Sequence, residues 1–179
     1  MPLAPEYFTA DMARALPDDG ERYEVVWGEL LVTPSPARLH QRVVSRLLVR
    51  LYAYCARFDL GEVLTSPADI SWSEDTLVQP DVFVIAREEA DTSDWASVKT
   101  LRLVAEVLSP STAHNDRFQK RKLYQAQNVE TLWLVDIDAA RVEVWAPAQS
   151  FPAIGTEQLS WHPQGAAEPL VIPIADLFR

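Results

Sequence analysis

Cysteine, glycine and histidine are scarce in this chain, which contains one, five and three of them, respectively, in 179 residues. A single cysteine, Cys55, excludes an internal disulfide, and its helical spacing with Leu48 and Leu51 predicts a thiol packed in the core. Five glycines, none in a glycine-rich run, provide no phosphate-binding loop of that type. Because His114 and His162 have no metal-ligand spacing with cysteines or with other histidines, we expect no zinc site.

Long apolar runs and export signals are also missing. Nowhere do about 18 apolar residues follow one another, as a membrane-spanning helix would require. The first residues, MPLAPEYFTA, lack the basic stretch and apolar run that are typical of a secretory signal, so we expect a cytoplasmic protein. Ser109 has no Gly-x-Ser-x-Gly context, which disfavours a serine hydrolase. The length and the hydrophobic content of 48% predict a single domain spanning residues 1–179.

Basic residues are outnumbered, and the net charge of −10 argues against a protein coated with nucleic-acid-binding lysines. Between residues 37 and 58, however, the chain has five arginines and no acid. Four of these arginines lie four residues apart. Like charges at this spacing repel each other and disfavour an isolated helix by roughly 0.2–0.5 kcal/mol per pair. Either acidic segments elsewhere neutralise this face, or ligand phosphates bind to it. The phosphate-binding candidates are Arg38, Arg42 and Arg46.

Hydrophobic periodicity predicts a mixed α/β domain. Two short strands, residues 23–27 and 29–32, form a hairpin, and apolar residues at a spacing of 3.6 predict a long amphipathic helix over residues 37–58. A second helix is expected at about residues 115–127. Further elements are expected near residues 10–15 (helical) and at 82–85, 101–108, 132–135, 142–145 and 159–161 (strands), with one or two strands between 62 and 72. This order predicts an α/β (α+β mixed) fold with a central mixed β-sheet flanked by helices and an N-terminal β-hairpin.

Asp81 and Glu106 are carboxylates on otherwise apolar strands. Asp81 opens one strand, and Glu106 interrupts the strand of residues 101–108, whose two faces are both apolar, as expected of a central strand. An ionised carboxylate buried there costs several kcal/mol unless a cation or a proton accompanies it. Lys120 is the candidate cation, because the apolar face of its helix would point it toward the same end of the sheet. The alternative is an ordinary exposed pair between Lys120 and Asp116.

Carboxylate oxygens are the ligands that hard divalent cations prefer. Asp81 and Glu106, with the backbone carbonyl that follows Glu106, would suit Mg²⁺ or Mn²⁺. Such an ion polarises a phosphodiester and lowers the pKa of its bound water. Lys120 would orient that nucleophile or stabilise the developing negative charge.

Four further residues are candidates for the same site. His40, on the apolar side of the long helix, either lines the site or is a hydrogen-bonded core or capping histidine. Glu29, just past the hairpin glycine, either ligates the metal or is an exposed turn acid. Arg117 either meets phosphates or is a solvated surface residue. Tyr124 is expected to line the site from the apolar face of the second helix.

Short motifs spread over most of the chain carry a family resemblance when they are taken together. They are Tyr23-Glu24, Gly28-Glu29-Leu30, Pro34-Ser35-Pro36 followed by His40, Gln79-Pro80-Asp81, Ala105-Glu106-Val107-Leu108-Ser109-Pro110-Ser111-Thr112, Asp116-Arg117 with Lys120 and Tyr124, and Leu132-Trp133-Leu134-Val135-Asp136. In combination they resemble the Uma2 family, also known as DUF820, of restriction-endonuclease-like proteins in the PD-(D/E)xK nuclease superfamily.

The resemblance implies a nuclease-type core in which Asp81 and Glu106 bind the metal and Lys120 is the catalytic lysine. The superfamily pattern places a lysine two residues after the glutamate, where this chain has Leu108. Lys120 on the following helix looks like its migrated replacement, as is usual in this family. DNA as the substrate and a homodimer as the assembly are further implications of the resemblance.

Three functions are compatible with these residues. The leading hypothesis is a divalent-metal-dependent DNA endonuclease. The alternative is a catalytically inactive module that binds nucleic acid or a partner on a nuclease fold. A hydrolase that acts on sugars through paired carboxylates is a third interpretation, but the sequence offers no sugar-stacking context for it.

Overall fold

The computed structural model describes residues 7–179. Its strands are β1 (Arg22–Val26), β2 (Glu29–Thr33), β3 (Gly61–Thr65), β4 (Thr76–Leu77), β5 (Val82–Ala86), β6 (Leu101–Leu108), β7 (Leu132–Asp136), β8 (Arg141–Trp145), β9 (Ala153–Gly155), β10 (Gln158–Trp161) and β11 (Leu170–Pro173). Six of them form one sheet with the order β3-β5-β6-β7-β8-β9. In this sheet β6 and β7 are parallel, and the other neighbours are antiparallel. The predicted central mixed sheet is therefore confirmed.

The N-terminal hairpin is also confirmed. Strands β1 and β2 pair in antiparallel register, and the two-residue strand β4 pairs with the other edge of β1, so the hairpin becomes part of a small three-stranded sheet. Strands β10 and β11 form a separate antiparallel pair. The hairpin thus brings the side chains of β1 toward the segment that leads into β5.

The helices lie on both sides of the large sheet. They are α1 (Ala10–Arg14), α2 (Arg38–Phe58), α3 (Ala113–Asn115), α4 (Arg121–Ala126) and α5 (Ile174–Phe178). Between α3 and α4 the helix continues through a π-helical segment, Asp116–Lys120. Helix α2 ends where Asp59 takes a left-handed conformation and donates its N–H to the carbonyl of Cys55. Within residues 7–179, no helix has both the length and the apolar character needed to cross a membrane.

The side chains of β6 alternate between two apolar layers. Leu103, Ala105 and Val107 pack in the layer that includes the buried face of α2. Val104 and Leu108 pack in the opposite layer with the buried residues of α4. Both faces of this strand are therefore covered, which explains its almost uninterrupted apolar sequence.

Some elements differ from those that the sequence predicts. The second helix begins at Ala113 rather than near Asn115, and its π-helical segment was not predicted. Strand β9 was also not predicted; it is a short, largely exposed edge strand that lacks the apolar alternation of the others. Between residues 62 and 72, one strand forms, and Ile70 makes only an isolated bridge with Val78.

Candidate active site

Lys120 lies at the centre of a buried cluster of charged side chains. Its Nζ is 2.7 Å from Oε1 of Glu106 on β6, 2.9 Å from Oε1 of Glu24 on β1, and 3.6 Å from Oδ1 of Asp116. Only 2% of Lys120 and 1% of Glu106 are exposed. The interpretation of Lys120 and Asp116 as an ordinary exposed pair is therefore wrong, because three carboxylates surround this ammonium away from solvent.

The π-helical segment positions two members of the cluster. A π-turn accommodates an extra residue in the helix, and such turns are frequent at functional sites. Here Asp116 and Lys120, the first and last residues of the segment, are both buried, whereas Phe118 between them is exposed. Tyr124, one turn after Lys120, is buried as well and donates a hydrogen bond of 2.5 Å to Oε1 of Glu106. The same glutamate oxygen is thus held by two successive helical turns.

Asp81 joins the cluster from the start of β5. Its Oδ2 accepts the backbone N–H of Val107 at 2.8 Å and lies 3.2 Å from Nε2 of His40 on α2. Its Oδ1 accepts a hydrogen bond of 3.0 Å from the guanidinium of Arg22 on β1. The bond to Val107 fixes Asp81 beside Glu106, because β5 and β6 are antiparallel neighbours in the sheet. His40 is therefore hydrogen-bonded within the site.

The cluster holds more negative than positive charge. Glu24, Asp81, Glu106 and Asp116 are four buried carboxylates, and Arg22 and Lys120 are the two permanent cations in contact with them, which leaves a formal charge of −2 before His40 is counted. Buried charges of one sign are costly unless they are paired or protonated. The cluster therefore favours uptake of further positive charge.

Burial and neighbouring charges shift the pKa values of Asp81 and Glu106 in opposite directions. Burial raises the pKa of Asp81, but the hydrogen bond from His40 and the charge of Arg22 outweigh it, and the pKa falls to about 2. Burial raises the pKa of Glu106 to about 8 against the attraction of Lys120, and the other carboxylates add to the rise. The partners of Asp81 thus favour its ionised form, whereas burial favours the protonated form of Glu106.

Asp81 and Glu106 have the donor chemistry of a divalent-cation site. One oxygen of Glu106, Oε1, is held by Lys120 and Tyr124. No group of three or more acidic, histidine or cysteine side chains in this part of the chain converges as metal ligands do. Mg²⁺ is often bound by only one or two carboxylates and retains several waters, so these two acids and the negative charge of the cluster fit such an ion.

A cleft of about 950 Å³ opens over one side of the cluster. Arg22, His40 and Asp81 line it, together with the hairpin and the loop of residues 109–112, whereas Glu106 and Lys120 lie beneath its wall. A ligand in the cleft therefore meets Asp81 and its partners before the buried lysine.

The arginines of α2 do not line this cleft. Arg46 donates a hydrogen bond of 3.0 Å to the carbonyl of Leu177 in α5, and Arg42 donates one of 3.4 Å to the carbonyl of Arg179. Helix α2 contributes another face to the cleft, which includes His40. The ion pairs of Arg50 with Asp176 and of Arg57 with Glu168 support the first interpretation of the arginine face, neutralisation by acidic segments elsewhere in the fold. Arg38, in the first turn, is exposed.

Two other candidates lie outside the cluster. The guanidinium of Arg117 is 2.6 Å from Oδ2 of Asp136 and 2.9 Å from Oε1 of Glu143, so carboxylates of the sheet already hold it. Glu29 is exposed, and its Oε1 accepts a hydrogen bond of 2.9 Å from Gln119. Neither side chain contacts Asp81 or Lys120 in the structure.

Arg22, Glu24 and Asp116 belong to the cluster, although the sequence does not predict them as site residues. Glu24 had the same signal as Glu106, a carboxylate inside an apolar strand. For Asp116, the spacing of four residues predicts only a surface pair with Lys120. Nothing local marks Arg22 as a site residue, because its hydrogen-bond partners Gln79 and Asp81 are distant in the chain.

Comparisons with known proteins agree with this architecture. The family model described as "Uma2: Putative restriction endonuclease" matches residues 9–168. The fold is similar to the crystal structure of a "putative nuclease belonging to DUF820" from Anabaena variabilis ATCC 29413, with a TM-score of 0.78 and 21% identity over 96% of this chain and 97% of that chain. None of the curated proteins matches the chain. Because the family model covers most of its residues, the chain belongs to the Uma2 family.

Proposed function

We propose that this protein is a divalent-metal-dependent endonuclease that hydrolyses DNA phosphodiester bonds. The observation that carries the proposal is the convergence of Asp81, Glu106 and Lys120 from two neighbouring strands and a helix, with Asp81 lining a cleft. Nuclease activity is proposed because the descriptions of the family and of the related structure name it. We also expect a cytoplasmic homodimer, since two sites would allow both strands of a duplex to be cut.

Asp81 and Glu106 are the residues that would hold Mg²⁺ or Mn²⁺ in this proposal. The ion would supply polarisation of the phosphodiester and a bound water of lowered pKa. Neighbouring groups already orient both carboxylates: His40 and the N–H of Val107 hold Oδ2 of Asp81, Arg22 holds its Oδ1, and Lys120 and Tyr124 hold Oε1 of Glu106. These contacts preorganise the two acids, which is the usual role of groups behind metal ligands.

Lys120 acts as a cation in this proposal. The three carboxylates around its ammonium outweigh burial and raise its pKa above the usual value, so it keeps its proton at neutral pH. A permanently charged lysine is a poor proton acceptor. Its role is to orient Glu106 and to offset negative charge close to the reacting phosphate.

A cleavage assay on plasmid DNA with Mg²⁺ or Mn²⁺ tests the proposal. Asp81→Asn and Glu106→Gln should each lower the rate by at least about 100-fold, because each removes a charged ligand. Asp69→Asn is a matched control, since Asp69 lines the same cleft but pairs with Arg14; it should cut at the parent rate. Undiminished cleavage by Asp81→Asn would contradict the proposal.

A second candidate is a binding module without catalysis. The ion pair between Arg22 and Asp81 favours it, because a carboxylate satisfied by an arginine needs no metal. This candidate predicts salt-sensitive DNA binding that weakens in Arg38→Ala, without metal-dependent turnover. Turnover that requires Mg²⁺ and Asp81 would exclude it.

A further inference from the structure

Arg22 and Lys120 serve the cluster in different ways. Lys120 lies beneath the wall of the cleft, and its side chain is 2% exposed. The side chain of Arg22 is 21% exposed and lines the cleft. Its guanidinium also donates to the carbonyl of Gln79 at 3.1 Å and lies 4.0 Å from Oε2 of Glu24. Of these two cations, Arg22 is therefore the one within reach of a ligand in the cleft.

The two oxygens of Asp81 have different partners. Oδ2 is held by His40 and by the backbone N–H of Val107. Among the described residues, Oδ1 has Arg22 as its hydrogen-bond donor, at 3.0 Å. A divalent cation bound to Oδ1 would lie close to the guanidinium, and two cations at such a distance repel each other strongly in a buried site. Occupation of Oδ1 by both is therefore unfavourable.

We propose that Arg22 and the divalent cation compete for Oδ1 of Asp81, and that Arg22, when displaced from it, binds the substrate phosphate in the cleft. This inference rests on the proposed function, because it requires a metal at Asp81. A guanidinium matches the geometry of a phosphate group and can donate two parallel hydrogen bonds to it. Arg14, the other arginine in the cleft, is held between Asp11 and Asp69.

Calorimetric titration with Mn²⁺ tests the competition. Removing the charge in Arg22→Gln should tighten Mn²⁺ binding by about tenfold or more. An adjacent arginine lowers the proton affinity of a carboxylate by roughly one to three orders of magnitude, and the same charge opposes a metal cation on that carboxylate. Arg14→Gln should bind Mn²⁺ like the parent. A purely structural role for Arg22 predicts the reverse, because loss of a partner that orders Asp81 would weaken metal binding.

Binding of a short fluorescent DNA oligonucleotide in saturating Ca²⁺ tests the second half of the inference. Arg22→Gln should bind it about tenfold more weakly, despite tighter metal binding, whereas Arg14→Gln should be unchanged. Unaltered or weaker Mn²⁺ binding in Arg22→Gln, or unaltered oligonucleotide binding, would overturn the inference. If the parent binds Mn²⁺ and cuts DNA, such a result leaves the proposed function intact; if neither protein binds Mn²⁺, the proposed function fails as well.

A measurement on the parent protein avoids dependence on the folding of the variant. In ¹⁵N-labelled protein, the Nη–H signal of Arg22 reports the hydrogen bond that Nη1 donates to Oδ1 of Asp81. Titration with diamagnetic Mg²⁺ should shift this signal and increase its exchange with water, while the signal of Arg14 stays constant. An Arg22 signal that Mg²⁺ leaves unchanged at saturation would contradict displacement.

Discussion

Oε1 of Glu106 lies 2.7 Å from the ammonium of Lys120, and the hydroxyl of Tyr124 donates to the same oxygen. Both donors come from one helix, one turn apart, and Glu106 comes from the central strand of the sheet. The pair therefore joins the helix to the sheet through charge, in a layer that is otherwise apolar. Because one oxygen receives both donors, the orientation of the carboxylate is fixed before any ligand enters.

Substituting Lys120→Met should destabilise the protein by about 3–5 kcal/mol, because removing one partner of a buried ion pair leaves uncompensated charge. Lys122→Met is the matched control: Lys122 is exposed on the same helix, and its loss should cost no more than about 0.5 kcal/mol. Urea unfolding followed by circular dichroism measures both. The double variant Lys120→Met with Glu106→Gln should recover part of the loss; equal stability of the two single lysine variants would contradict the buried network.

The stability of the protein should fall as the pH rises through the range in which Glu106 loses its proton. Burial raises the pKa of Glu106 to about 8 and that of Asp116 to about 6. Between the usual carboxyl range and these values, the folded chain holds protons that the unfolded chain has released, so rising pH favours unfolding by up to about 1.4 kcal/mol per pH unit and proton. The pKa of Asp81 is about 2, so this group stays ionised and does not contribute to the pH dependence of stability in this range.

Unfolding by urea at a series of pH values from 5 to 8.5 checks this expectation. In Glu106→Gln the slope should become shallower, because the group that titrates up to about pH 8 is gone. The remaining slope should be confined to the lower part of the range, where Asp116 titrates. A parent stability that is flat or rises with pH would contradict the raised pKa values.

The apolar pattern of the sequence predicts the central strands, the long helix and the meeting of Asp81, Glu106 and Lys120. These follow from local periodicity: the alternation of β6 and the apolar face of the helix both point inward. The sequence pattern does not predict Arg22 or Glu24 as members of the cluster, because their place depends on how the hairpin packs against a distant segment. The π-helical segment is also missed, since a shift by one hydrogen bond has no local signature.

Arg42 and Arg46 show the same limit of prediction from local sequence. Spacing alone marks Arg42 and Arg46 as a basic face, but their partners are the carbonyls of Arg179 and of Leu177 in α5, more than 130 positions away in the chain. Local sequence indicates which residues share a helix face. It does not indicate which distant carbonyl or carboxylate covers that face, and this decides whether an arginine is available to a ligand.

Cys55 should be unreactive in the folded protein. Cys55 is 1% exposed on the buried face of α2, and burial raises the pKa of its thiol to about 11, so little thiolate is present at pH 8. Labelling with a chromogenic disulfide reagent should be slow without denaturant and immediate in 6 M guanidinium. If labelling requires unfolding, its rate in Lys120→Met should rise with the destabilisation of that variant. Rapid labelling of the folded parent would show that the thiol is accessible.

Arg117→Ala should reduce stability without weakening DNA binding. Asp136 and Glu143 hold its guanidinium at 2.6 and 2.9 Å, so its loss leaves two largely buried acids short of a partner and should cost about 1–3 kcal/mol. Arg38→Ala makes the comparison, because Arg38 is exposed at the start of α2: it should leave stability within about 0.5 kcal/mol. Fluorescence anisotropy at several salt concentrations gives the DNA affinity. A phosphate contact at Arg117 would instead appear as weaker binding and a shallower salt dependence.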